Sequence, residues 1–306
     1  MTDGNTPLPV STLIERLEPP EGPVNMVLDT DTYNEVDDQF ALTYSLLTEQ
    51  LNVKAVYAAP FHNSRSDGPA DGMEQSYDEI VRILDILDID EDGFAFRGSR
   101  QYMQDEGPIE SPAVADLIDR AKEPRDEPLY VVPIGAPTNV SAAIQLAPEI
   151  IENIVVVWLG GQPHYWPDAT HFNLGQDLAA SQVLFDSGVP LVHVPCQNVS
   201  QHIISTIPEM EMLLADTGPI GEFLLDRFNE YNQHDRSVWS KEIWDLAPIA
   251  YLINDDWVPS TLDFSPELTA DFTWNVEKDR HLVRVATFAK RDPILDDFVT
   301  TLKQRA

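Results

Sequence analysis

Five short apolar runs recur along the chain: VNMVLDTD (24 to 31), VKAVYAAP (53 to 60), LYVVPIG (129 to 135), IVVVWLGG (154 to 161) and PLVHVP (190 to 195). Runs this short, rich in β-branched residues, read as buried strands. Between them VDDQFALTYSLLTEQ, YDEIVRILDIL, NVSAAIQLAPEI and AASQVLFDSG carry helical spacing, with Val36, Phe40, Tyr44 and Leu47 on one face. A strand-then-helix rhythm predicts an α/β fold: a single open, mostly parallel sheet with helices on both faces and a Rossmann-like core. No repeat or low-complexity block interrupts it. The Pro-rich stretch 1–23 reads as an N-terminal arm, and 63 to 75 and the polar part of 216 to 242 as looser segments suited to active-site flaps.

Charge narrows the partners. With 52 Asp and Glu against 19 Lys and Arg, the formal net charge of -33 repels nucleic-acid phosphates and anionic membrane, so neither is an expected partner. Acids spread along the whole chain fit a protein kept soluble in a salt-rich cytoplasm. The N-terminus has no basic or apolar signal region, and no segment has the roughly 18 to 20 apolar residues of a membrane span, so a cytoplasmic location is expected. A lone cysteine, Cys196, rules out an intrachain disulfide and a Cys-based zinc site, and its place at a strand end reads as packing.

Four aspartates, Asp29, Asp31, Asp37 and Asp38, crowd the end of the first run. In an open α/β sheet ligands gather at the carboxyl ends of strands, where Asp29 and Asp31 fall, while Asp37 and Asp38 open the next helix. Carboxylates at one spot raise one another's pKa unless a cation neutralises them, and a hard, oxygen-seeking ion, calcium or magnesium, suits such a site. Helix capping alone also accounts for Asp37 and Asp38, because a helix N-terminus favours negative charge. An EF-hand does not fit: counted from Asp29, its glycine position is Asn34 and its closing glutamate position is Phe40.

Taken in order, the strand ending in DTD, the DD opening a helix, IGAPTNVSAAI (134 to 144), WLGG (158 to 161), FNLGQDLAASQVLFDSGVPLVHVP (172 to 195) and IWDLAPIAYL (243 to 252) resemble the inosine-uridine preferring nucleoside hydrolase family. Residues 281 to 298 are similar to its closing strand and helix. The resemblance implies a catalytic domain over 24–306 that cleaves the N-glycosidic bond of ribonucleosides to ribose and free base. It implies a calcium ion held by Asp31, Asp38, Asp245 and the main-chain carbonyl of Ile134, with Asp29 behind, orienting Asp31. Asp37 and Asn173 would hold ribose hydroxyls, and Asp31 would take the proton of a calcium-activated water attacking C1′. An unpaired carboxylate in the apolar stretch around Asp245 would be costly, and a metal explains it. Many family members place a histidine before the late aspartate; here Trp244 stands there, as in the purine-preferring branch. An indole cannot donate a proton at neutral pH, but it stacks on a purine. Arg236 is a candidate helper. The expected partner is a small-molecule nucleoside, and a homo-oligomer of two or four copies is expected.

Departures from the family pattern fall around the sugar. Asp31 and Asp37 are separated by TYNEV, longer than the family's DxDxxxDD allows, so Asn34 or Glu35 is expected to intrude. His171 replaces the glutamate that contacts the ribose 5′ side, and Tyr165 falls where a ribose-binding asparagine is expected. APF replaces the family's GN(V) turn, leaving Asn63 as its substitute. His62, His164 and His171 are further candidate acids. Two other readings stay open. One is a haloacid-dehalogenase-type phosphatase with Asp29 as nucleophile and magnesium, although Tyr33 stands where Thr or Val is usual. The other is a non-catalytic, metal-dependent nucleoside or sugar binder.

Overall fold

In the computed structural model, which describes residues 8–231 and 238–305, strand β1 (Val24–Thr30) sends Val24, Met26 and Leu28 into one apolar layer and Val27 into another. Successive side chains of a strand point to opposite faces, so a run apolar at every position has to be covered on both. The other strands of the main sheet are β2 (Leu51–Ala58), β3 (Ala95–Arg97), β4 (Leu129–Pro133), β5 (Ile154–Leu159), β6 (Leu191–Val194), β7 (Ser260–Phe264) and β8 (Leu282–Ala286). They form one eight-stranded sheet in the order β3-β2-β1-β4-β5-β6-β8-β7. Every neighbouring pair is parallel except β8 with β7. The expected open, mostly parallel α/β sheet is present.

The helices that cover the sheet or frame the site are α1 (Val10–Leu17), α2 (Asp38–Leu47), α3 (Pro69–Ile86), α4 (Pro112–Lys122), α5 (Thr138–Leu146), α6 (Phe172–Gln176), α7 (Leu178–Asp186), α8 (Gly218–Tyr231), α9 (Leu246–Ile253) and α10 (Arg291–Arg305). Phe40, Ile80, Leu224, Ile249 and Phe298 bring α2, α3, α8, α9 and α10 onto the layer of Met26 and Leu28. Leu117, Val140 and Leu184 bring α4, α5 and α7 onto the layer of Val27. Helix α2 is buried on more than the face its spacing suggests, from Asp38 through Ser45. The reason is a second cover: Phe40 meets Phe228 of α8 and Phe298 of α10, with ring centres 6.3 and 5.7 Å apart.

Both looser segments contain the start of a helix. Helix α3 begins at Pro69, inside the 63 to 75 stretch, because proline is suited to a helix's first turn. Helix α8 occupies 218 to 231, and residues 232 to 237, including Arg236, lie outside the described residues. In the arm, Leu13 and Leu17 of α1 are buried, and Arg284 of β8 donates to the Leu17 carbonyl and pairs with Glu18 at 3.4 Å. No described helix is long and apolar enough to cross a membrane.

What positions the site is the sheet order. Strand β1 pairs with β2 on one side and β4 on the other, so the strand order reverses there. A crevice therefore opens beyond the carboxyl ends of β1 and β4, the usual ligand position in such sheets.

Candidate active site

Alternation at the end of β1 sorts its polar residues. Asp29 shares the face of Val27 and meets α5, where its Oδ1 accepts from Asn139 Nδ2 at 2.7 Å. Thr30 faces α2, and its hydroxyl donates to Asp38 Oδ1 at 2.6 Å. Asp31 lies just past the strand; the turn behind it closes through Asn34 N–H donating to the Asp31 carbonyl at 2.7 Å. Asp31 is fully buried, and neither of its carboxylate oxygens has a hydrogen-bond partner among the described residues. The end of β4 comes equally close. Ile134 N–H donates to the Asp29 carbonyl at 2.8 Å, and a Cβ on Gly135 would sit 2.8 Å from Asp31 Cγ, so only glycine permits this approach.

Helix α9 supplies the last acid, Asp245, at its N-terminus. Single carboxylate oxygens of Asp37, Asp38 and Asp245 lie within 4.8 Å of one another. The compact trio thus contains Asp37, while Asp31 adjoins it through Asp38. Burial, and then repulsion from Asp38, raises the Asp31 carboxyl well above the usual range. Burial followed by repulsion from Asp37 raises Asp38 and Asp245 likewise. Burial alone pushes Asp29 up to about 7, against the lowering effect of Asn139. Asp31, Asp37, Asp38 and Asp245 cannot all stay charged in one buried cluster without a cation. Unpartnered Asp31 oxygens, the converging trio and the nearby Ile134 carbonyl form an all-oxygen donor set that fits a hard divalent ion.

Asn173 braces this corner. Its Nδ2 donates to the Ile134 carbonyl at 2.7 Å and to the Leu159 carbonyl at 3.0 Å, which leaves Oδ1 for a ligand and a second lone pair on Ile134 O. Asp31, Asp37, Asp38, Asp245, Asn173, His171 and Trp244 line one pocket. The half-buried Trp244 ring meets His171 edge-on at 6.1 Å and 64°. Burial, and less so Lys241, pushes His171 down to about 4, with Glu35 acting against the shift.

The longer TYNEV turn does intrude: Asn34 and Glu35 both line the pocket. Glu35 Oε2 pairs with Lys241 Nζ at 2.6 Å, and Oε1 accepts from Tyr231 OH at 3.1 Å. Burial works against the Lys241 charge, but Asp37 and Glu35 beside it hold its pKa above the ordinary value. Lys241 and Tyr231 escaped sequence reading because they stand 206 and 196 positions from Glu35. A lysine three residues before Trp244 in so lysine-poor a chain was the available signal.

Other expected residues lie elsewhere. Asn63 is not at the pocket; its Nδ2 donates to Asn34 Oδ1 at 2.7 Å and so props the turn from outside. Tyr165 is 75% exposed, and His62 is exposed. His164 is stacked on His193 at 5.0 Å, away from the acids. Asp29 is fully buried and does not line the pocket, so it has no opening from which to attack a phosphoryl group. Its Oδ1 holds Asn139 and not Asp31. Cys196 is buried and free.

The sequence profile of a family described as inosine-uridine preferring nucleoside hydrolase matches residues 26–299. A pyrimidine-specific ribonucleoside hydrolase, RihA, of Escherichia coli O7:K1 (strain IAI39 / ExPEC) is 23% identical over 261 residues, covering 76% of this chain and 80% of that protein. The solved structure of a purine-preferring ribonucleoside hydrolase from Gardnerella vaginalis superposes with a TM-score of 0.73 at 20% identity, over 92% of this chain and 98% of that one. An inosine-uridine preferring nucleoside hydrolase from Bacillus anthracis superposes with a TM-score of 0.67 at 16% identity, over 94% and 100%. These structural likenesses are of fold.

Proposed function

The chain belongs to the inosine-uridine preferring nucleoside hydrolase family, and from that premise we propose a calcium-dependent N-glycosyl hydrolase that releases the base, preferentially a purine, from ribonucleosides. The observation that carries this reading is Asp31, buried beside Asp38 with both oxygens unpartnered at the floor of the pocket. Asp31, Asp38, Asp245 and the Ile134 carbonyl would hold the ion. Bound there, calcium would offset the buried charge and polarise water.

The chain's own residues then divide the work. Asp31 accepts a proton from the water that attacks C1′. Asp37 and the free Oδ1 of Asn173 hold ribose hydroxyls, and the surrounding carboxylates stabilise the positive charge that develops on the sugar. Trp244 offers its face to the leaving base, a larger π surface stacks better, and the base takes up a proton from solvent as the C1′–N bond breaks. The relatives' names point both ways, one pyrimidine-specific and one purine-preferring, so the purine preference rests on Trp244 standing directly before Asp245 in the pocket lining.

A panel of ribonucleosides, deoxyribonucleosides and p-nitrophenyl riboside, assayed for base or nitrophenol release with calcium and with chelator, tests this reading. Release that stops with chelator and returns with calcium, faster for purines than for uridine, is expected. Binding of nucleosides without any release would instead mark a non-catalytic binder.

A further inference from the structure

One carboxylate in the pocket has no task in the proposed reaction. Glu35 comes from the extended turn and lines the pocket together with Trp244 and His171. Its oxygens are fixed by two distant elements, Lys241 Nζ at 2.6 Å from Oε2 and Tyr231 OH at 3.1 Å from Oε1. The same Nζ lies 5.8 Å from the Trp244 ring centre, so one buried ammonium ties the carboxylate to the indole. A short ion pair keeps Glu35 charged, its side chain is still 35% exposed, and each of its oxygens retains a lone-pair site beyond those in use.

A charged carboxylate only accepts hydrogen bonds. A base stacked on Trp244 must therefore present N–H groups to Glu35, and an acceptor there would be repelled. Guanine carries its N1–H and exocyclic amino group side by side, matching two carboxylate oxygens. Hypoxanthine offers the N1–H alone. Adenine sets its amino group beside an acceptor nitrogen, and uracil's N3–H lies between two carbonyls.

We propose that Glu35 is a specificity-determining residue that selects guanosine by accepting from the N1–H and amino edge of a guanine stacked on Trp244, with Lys241 and Tyr231 as the residues that position it. The assignment rests on the nucleoside hydrolase reading above. A site built to hydrogen-bond a substrate edge discriminates strongly against analogues that lack it.

The test compares kcat/KM for guanosine and inosine in the calcium-loaded protein and its variants. The wild type should favour guanosine about tenfold, and E35Q should lose most of that ratio, chiefly through the KM for guanosine. Because E35Q leaves Lys241 unpaired, Y231F is measured beside it; it keeps the ion pair, frees Oε1 and should lower the ratio by a smaller factor. A ratio unchanged in both variants, or a wild type that favours inosine, overturns the assignment and leaves the hydrolase reading standing. Release of base from no nucleoside overturns both.

Discussion

Asp31 and Glu79 are buried carboxylates of the same chain that meet neighbouring residues of one helix, and they are treated in opposite ways. Glu79 of α3 is 2% exposed and fully answered by the protein. Arg227 donates to its two oxygens at 2.6 and 3.0 Å, Arg82 at 3.1 Å, and Gln39 of α2 at 3.4 Å. Asp31 is beside Asp38, the residue before Gln39, and receives no hydrogen bond among the described residues. The only described lysine at that corner, Lys241, is committed to Glu35. Burying a charge without a partner is costly, and the fold demonstrates at Glu79 that it can supply partners. On the proposed function, an acid left without them in the pocket lining is kept for a cation that comes from outside.

Substituting each acid should separate the two cases most sharply. Asp31→Asn should lower kcat by about a thousandfold or more, since it removes both the base and a ligand, while the calcium-free protein keeps or gains thermal stability. Glu79→Gln should cost about 1 to 3 kcal/mol of stability by weakening the bonds to Arg227 Nε and Nη2, while Glu230 still pairs Nη1 at 2.6 Å, with kcat of the folded protein preserved. Melting curves and kcat from the same preparations check both. Loss of stability without loss of turnover in Asp31→Asn would erase the contrast.

At the pocket's apolar side, Trp244→Ala should cost about 1 to 3 kcal/mol in kcat/KM on purine nucleosides and far less on p-nitrophenyl riboside, whose leaving group needs no protonation. Equal loss on both substrates would make Trp244 a packing residue.

A third buried cluster answers its burial by staying neutral. His193 donates to the Gly160 carbonyl at 2.6 Å and takes the other proton of the pair from His164 at 3.0 Å, while His164 Nδ1 faces Asp263 at 3.6 Å. Burial pushes His164 down to about 4 and, with His164 beside it, His193 well below its usual value. The unfolded chain binds protons near pH 6.5 that the folded one refuses, so this stability is complete above about pH 6.5 and declines as the pH falls. The slope should be about 1.4 kcal/mol per pH unit for each histidine. The buried aspartates, whose pKa values are raised, act in the opposite sense over this range, so the test is a difference: from pH 7 to 5 the melting temperature of the wild type should fall relative to that of His164→Gln measured at the same pH.

Much of this was legible in the sequence because strand ends and helix starts are local signals. The second acid of DTD after an apolar run, DD opening a helix and Asp245 opening another place four carboxyl groups by backbone geometry alone, and Asp31, Asp37, Asp38 and Asp245 do line one pocket. Period-two alternation also separates Asp29 from Thr30, although the partners that result, Asn139 and Asp38, need the tertiary fold. What stayed hidden depends on distant pairing. The Glu35, Lys241 and Tyr231 cluster joins a turn to residues 196 and 206 positions away, and no local pattern encodes it. Asn63 was misplaced for a similar reason: its side chain finds Asn34 before it can reach the pocket. Strand β3 has only three residues, Ala95–Arg97, and its last two are not fully buried, too little for an apolar run to announce it.

The most direct test is a calorimetric titration of calcium into chelator-treated protein, run on the wild type, Asp31→Asn and Glu79→Gln. One calcium per chain should bind the wild type and Glu79→Gln alike, and binding should be lost or strongly weakened in Asp31→Asn. Equal binding by all three proteins, or none by the wild type, would contradict the claim that Asp31 is left unpartnered for a metal ion.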